Sequence, residues 1–188
     1  MGFLSAQHLA PGMGSFEPQR TYNWSFEVAL DDVGDQLLIM QGAESFAGPK
    51  ESNEVIELGF ANEVRKVAGK AKYEANTLVL KDFVNQGTMN AIIRWRRLVY
   101  NAETGSVGLA TNYKKNADLQ LTATDGTFPR IWKFIGCWPQ AVEYGDLQVD
   151  NSEKQLITVT LEYDRAVPGQ GLNDGLGGVN VGEQTAPI

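Results

Sequence analysis

The chain has one cysteine and one histidine in 188 residues. With Cys137 alone, no disulfide can form within the chain, which fits folding in a reducing compartment. His8 and Cys137 cannot supply the soft ligands of a zinc set. A Ser-His-Asp triad would have to recruit His8 from an irregular, Gly- and Pro-bearing start. Basic charge is also short: 16 Lys and Arg against 23 Asp and Glu leave a net charge of −7. A sequence-independent nucleic-acid binder needs a basic footprint, so this balance argues against one. It leaves room for a surface past which nucleic acid slides without sticking. No apolar run approaches the roughly eighteen residues of a membrane span. The start, MGFLSAQHLAPG, has neither the basic nor the apolar region expected of a signal peptide. Dinucleotide and P-loop phosphate signatures are missing. Asp31, Asp32 and Asp35 lack the spacing of a calcium loop and read as solvated turn charges. The expectation is therefore a non-enzyme with no cofactor, no metal and no catalytic residue.

What is present is unevenly distributed. Residues 1–64 hold two basic and ten acidic residues, 65–115 hold ten basic and three acidic, and 116–188 hold four basic and ten acidic. The blocks carry −8, +7 and −6. Uneven solvated surface is one account; the other is a basic face on one copy meeting an acidic face on the next.

Along the chain, residues 1–21 form an irregular arm. NWSFEVAL alternates without error, Trp24, Phe26, Val28 and Leu30 against Asn23, Ser25, Glu27 and Ala29, which is the period of a half-buried strand. DDVGD reads as a turn and QLLIMQGA as a second strand, the two strands forming a hairpin. Residues 44–70 form a long polar excursion, either a functional loop or an extended hairpin containing the strand EVIELGF. NTLVLKDFV is a further strand. A helix is predicted over 88–100, with Thr88 as N-cap. Its apolar stripe is Ala91, Ile92, Trp95, Leu98 and Val99, and Arg94 and Arg97 lie opposite. Those two arginines are candidate contacts between copies. Leu119, Leu121 and Ala123 then alternate with Gln120, Thr122 and Thr124. Asp125-Gly126 signals a tight turn, and the returning strand Ile131 to Cys137, apolar on both faces, is expected to be covered on both. The last strand points Ile157, Val159, Leu161 and Tyr163 one way and Leu156, Thr158, Thr160 and Glu162 the other. From Ala166 onward there are six glycines in 23 residues, a C-terminal arm covering 166–188. The prediction is a mainly β fold: an antiparallel sandwich or barrel of two packed sheets with one flanking α-helix, in a domain spanning 22–165.

The most distinctive stretch, FIGCWPQAVEYGDLQV, contains no nucleophile and no ligand set. Pro139 should end its strand and hold Trp138 extended, fixing the indole as a packing plug. The segment RIWKFIGCWPQAVEYGDLQVDNSEKQLITVTLEYD resembles the C-terminal half of the tail tube proteins of contractile-tailed phages, the Hcp-like tube fold. The corner Trp138-Pro139, the turn Gly145-Asp146 and the closing Leu161 and Tyr163 carry the resemblance. YNWSFEVAL is similar to the family's opening strand, and in the middle only Gly69, Leu80 and Lys81 match. The resemblance covers roughly 22–165 by element order. It implies six copies joined edge to edge in a ring, rings stacked as a hollow tube within a sheath, and DNA passing through the lumen without specific binding. It further implies a virion tail component assembled in the host cytoplasm, with sheath protein, baseplate or tube initiator, tape measure and tail terminator as partners, and no membrane. Candidate lumen-facing residues are Gln120, Thr122, Thr124, Thr158, Thr160 and Glu162. The alternatives are the tube of an extracellular or type VI contractile system, or a carbohydrate-binding sandwich using Trp24, Trp95, Trp132 and Trp138. A hydrolase with a carboxylate pair is a third.

Overall fold

The computed structural model describes residues 19–85, 87–123, 130–145 and 154–170. The first strand, β1 (Trp24–Val28), keeps the predicted alternation: Phe26 and Val28 are buried and Glu27 is exposed. The segment after it is a helix rather than a turn and a strand. In α1 (Val33–Gly42), Asp32 is the N-cap, its carboxylate accepting from the Gly34 amide at 2.8 Å. A short acceptor at that place satisfies one of the orphan donors of the first turn. Asp35, Ile39 and Gly42 fall on the buried face, at the i, i+4, i+7 spacing of a helix. The expected hairpin between the first two strands is therefore not formed.

The strands that follow are β2 (Ala43–Phe46), β3 (Glu51–Phe60), β4 (Glu63–Tyr73) and β5 (Asn76–Lys81). The excursion is thus the extended hairpin of the two alternatives, β3 against β4. The second helix, α2 (Gly87–Val99), buries Ala91, Ile92, Trp95 and Val99, while Leu98 remains 40% exposed. Thr88 does not cap it. The Asp82 carboxylate accepts from the Met89 amide at 3.2 Å, and the Thr88 hydroxyl is buried against Gly42 with no hydrogen-bond partner among the described residues. A Cβ on Gly42 would come within 2.9 Å of Thr88, so glycine lets the two helices touch there. A short ribbon of β6 (Tyr100–Asn101) and β7 (Ser106–Val107) leads to a single helical turn, α3 (Ala110–Tyr113). Among the described residues there are therefore two flanking helices and a turn where one helix was expected.

The remaining strands are β8 (Lys115–Leu121), β9 (Arg130–Glu143), β10 (Leu156–Glu162) and β11 (Arg165–Gln170). The β8–β9 pairing confirms that hairpin; its Asp125-Gly126 tip and Thr124 lie outside the described residues. All pairings are antiparallel, in the order β1-β8-β9-β10-β5-β2 with β11 also beside β9. The long β9 serves both sheets. Residues 130–137 pair with β8 and β11, and residues 138–143 pair with β10. The two ends of the path meet across the core: Phe26 of β1 stacks on Phe46 of β2 at 4.6 Å, and both rings pack against Phe134. The result is the predicted antiparallel barrel-like sandwich of two packed sheets.

Three further expectations change. β9 does not stop at Pro139. The strand runs on to Glu143, and a register shift opposite Thr160 and Leu161 leaves Gln140 as an extra residue. A bulge is where a strand tolerates a missing donor. The segment from Ile131 to Cys137 is covered on one face only, since Lys133 and Ile135 are exposed. Ordered strand also continues past residue 165, because β11 pairs with β9 through Gln170 and buries Ala166.

Candidate assembly surfaces

The β3–β4 hairpin is a two-stranded sheet of its own. All ten residues of β3 are exposed, and so is β4 apart from Gly69 and Tyr73. The register pairs Ile56 with Val67, Leu58 with Arg65 and Phe60 with Glu63. Directly paired residues share a face, and the faces alternate. One face therefore carries Ile56, Leu58, Phe60 and Val67, and the other carries Val55, Glu57, Val64 and Lys66. Arg65 lies over the Phe60 ring at 5.0 Å, and Lys66 pairs with Glu57 at 3.5 Å. At the tip, Ala61 has φ +54°, a left-handed conformation that glycine adopts more readily. The root is tied to the barrel by the Lys50 amide donating to the Tyr163 hydroxyl at 3.4 Å and by Tyr73 packed on Tyr163. Burial raises the Tyr163 hydroxyl above its ordinary pKa, the Lys50 hydrogen bond opposing it. An isolated two-stranded ribbon is marginal in water, and an apolar face on one marks a surface that meets a partner.

The predicted contact arginines are engaged within the chain. Arg94 of α2 grips Asp35 of α1 through both Nε and Nη2. The Asp35 carboxylate is 8% exposed, and its hydrogen bond raises the Arg94 pKa. Arg97 reaches Glu103 at 3.3 Å in an exposed pair. Part of the charge-block pattern resolves the same way. Asp31 pairs with Lys115, Glu54 with Lys72 and Asp164 with Lys114, acids of the flanking blocks meeting bases of the middle one.

Of the distinctive corner, Trp138 is half-buried and packs edge-on to Tyr113 at 5.6 Å, outside the central core. The bend in β9 is set by its neighbour Gly136, whose φ is +69°. A Cβ there would lie 2.3 Å from Asp164 Oδ2. Pro139 is buried and faces Leu161 across the bulge. Gly145 has φ +76°, with the Leu156 carbonyl 2.5 Å from where its Cβ would stand. That explains glycine in the Gly145-Asp146 turn; Asp146 is outside the described residues. Cys137 is buried, which pushes its thiol up to about 12.

The lumen candidates divide into two groups. Gln120 and Thr122 are on the outward face of the β1-β8-β9-β11 sheet, and Thr158, Thr160 and Glu162 on that of the β9-β10-β5-β2 sheet. The two sheets face each other across the core, so these outer faces look in different directions. None of the four tryptophans is exposed: Trp95 is 1% accessible and bonds the Tyr113 carbonyl, Trp24 and Trp132 pack on the core, and Trp138 lies on Tyr113. A sugar-stacking platform is not built from them. Between α1, α2 and the start of β8 lies a cleft of about 310 Å³ with Leu30, Trp95 and Leu98 as its apolar lining and Asp31, Asp32, Arg97 and Lys115 among its charged residues. Among the described residues no group of three or more His, Cys, Asp or Glu converges on one point.

The family described as "T4-like virus tail tube protein gp19" matches residues 22–167. The tail tube protein of Serratia phage KSP90 is 23% identical over 160 residues, which cover 79% of this chain and 88% of that one. Among solved structures, the tube-terminating cap of the anti-feeding prophage superposes with a TM-score of 0.65 at 19% identity, over 82% of this chain and 92% of its own. The sheath–tube complex of the extracellular contractile injection system PVC, in its extended state, gives 0.63 at 16% identity, over 90% and 99%.

Proposed function

Because the chain belongs to the T4-like virus tail tube protein gp19 family, we propose that six copies close into a ring and that rings stack into the inner tube of a contractile phage tail. That it is a tail tube protein, and so a structural component of the virion tail, follows from the family. The hexamer, the stacking and the absence of any catalytic role are this reading's own additions. The observation that carries it is the exposed ribbon of β3 and β4, whose apolar face has no partner among the described residues. Sheet edges at β1, β2 and β11, open among the described residues, supply the second element. An unpaired edge row of donors and acceptors is a template for another strand, and a closed ring removes such edges.

In this reading the arms, 1–21 and the segment after β11, join the ribbon as contacts between subunits and rings. The lumen is lined by the Thr158, Thr160 and Glu162 face, where Glu143 stands opposite Thr158. The Glu143 and Glu162 carboxylates repel DNA phosphates and the neutral hydroxyls add no charge attraction, so the genome passes without tight binding. The opposite outer face exposes Ile135 and Val167, which suits a covered surface better. Sheath and terminator are the first partners proposed, since structural relatives of the same fold come from a sheath–tube complex and a terminating cap. Baseplate initiator, tape measure and assembly in the host cytoplasm complete the scheme. Both matches at the level of sequence are to phage proteins, which favours a phage tail over an extracellular or type VI system. Native mass spectrometry of the assembled protein should give six times 20.6 kDa for the smallest closed species. A dominant closed species of any other stoichiometry would refute the hexamer.

A further inference from the structure

Two apolar features are left uncovered among the described residues. One is the ribbon face ending in Phe60, which is 65% exposed with only the Arg65 guanidinium over its ring. The other is the cleft between α1 and α2, where Leu98 stays exposed although the rest of its helical stripe is buried. Every residue of β3 is exposed, so the ribbon does not lie on its own body. We infer that the ribbon tip of one copy docks in the α1–α2 cleft of another, Phe60 entering between Leu30, Trp95 and Leu98. This rests on the reading of the ribbon as a contact between copies and names the surface that receives it.

Size and charge both fit. The cleft, at about 310 Å³, is at the lower end of the range, about 300–1,000 Å³, that holds compact ligands. Its apolar lining is Leu30, Trp95 and Leu98, and Asp31, Asp32, Arg97, Lys115 and the Asp35–Arg94 pair are its charged residues. The ribbon brings one charge of each sign beside Phe60: Arg65, already over the ring, and Glu63, paired across from it. Asp31 and Lys115 pair with each other at 2.7 Å and Arg97 pairs with Glu103 at 3.3 Å, which leaves Asp32 as the rim charge that Arg65 can face. An aromatic anchor in a desolvated pocket with a charged rim is the usual anatomy of a contact that holds. Ribbon and cleft are different surfaces, so the contact is heterologous and repeats from copy to copy.

The test replaces Phe60 by p-benzoyl-phenylalanine, which keeps an aromatic ring, in full-length protein. Isotopically labelled and unlabelled copies are mixed, assembled and irradiated, and cross-linked peptides are mapped by mass spectrometry. Cross-links between copies, from position 60 to the peptides holding Leu30, Trp95 or Leu98, are expected. Leu98→Glu, at an exposed position that leaves the core intact, should lower their yield at least about tenfold. Cross-links between copies to any other peptide overturn the cleft as acceptor and leave the ribbon reading standing. Tubes visible by electron microscopy with no cross-link between copies from position 60 overturn both.

Discussion

Gly136 is where a single atom decides the shape of the barrel. Its positive φ bends β9 from one sheet into the other, and a Cβ would strike the Asp164 carboxylate that holds Lys114. Gly136→Ala should cost about 2 kcal/mol or more through strain and displacement. That is a fall of roughly 4–8 °C in Tm, read by calorimetry. An unchanged Tm would mean that the bend is set elsewhere. The two arginines separate at the same scale. Arg94→Glu places a like charge beside the buried Asp35 carboxylate and should destabilise the fold by about 3 kcal/mol. Arg97→Glu breaks only an exposed pair and should cost no more than about 0.5 kcal/mol. Urea unfolding of the two variants checks the order. Arg97 is therefore the position at which a charge effect on assembly can be read without damage to the monomer. Trp138 was conspicuous in the sequence, yet Gly136, two residues earlier, carries the bend. A positive φ leaves no trace in hydrophobic pattern, whereas a Trp-Pro pair draws the eye.

At the scale of elements, strands with clean alternation were legible: β10 buries Ile157, Val159 and Leu161, β1 buries Phe26 and Val28, and β8 buries Leu119, while Trp24 and Leu121 are half-buried. The amphipathic α2 was equally plain. α1 was not, because Leu37, Leu38, Ile39 and Met40 run together and fit a buried strand as well as a helix. The signal that could have decided it was Asp32 followed by Asp35 ahead of that run, a capping pattern. The excursion was recognisable as unusual by its length, but its apolar face becomes visible only with the register, which puts Ile56, Leu58, Phe60 and Val67 side by side. The ribbon stands apart from the core, so stability and assembly should separate there. Ile56→Lys combined with Leu58→Lys should leave the barrel's unfolding free energy within about 0.5 kcal/mol of wild type. The same variant should no longer sediment as an assembly. A variant that assembles normally would remove the ribbon from the account.

For the whole molecule, the charge pattern had suggested copies attracting one another through blocks of opposite sign. Half of the ten middle-block bases pair with flanking-block acids within the chain, Lys66, Lys72, Arg94, Lys114 and Lys115. What remains for association is apolar ribbon, open edges and one charged-rim cleft, none of which composition could reveal. Salt should accordingly weaken assembly only modestly, since screening acts on exposed charges and leaves apolar burial in place. The barrel and family were legible because packing periodicity and a long motif survive in sequence; the contacts were not, because they belong to a second copy. The most direct measurement is electron microscopy of the purified, assembled protein with averaging of end-on views. Six-fold rings around an open lumen, stacked into tubes, are predicted. A solid particle, another symmetry, or monomers alone at every concentration would contradict the account.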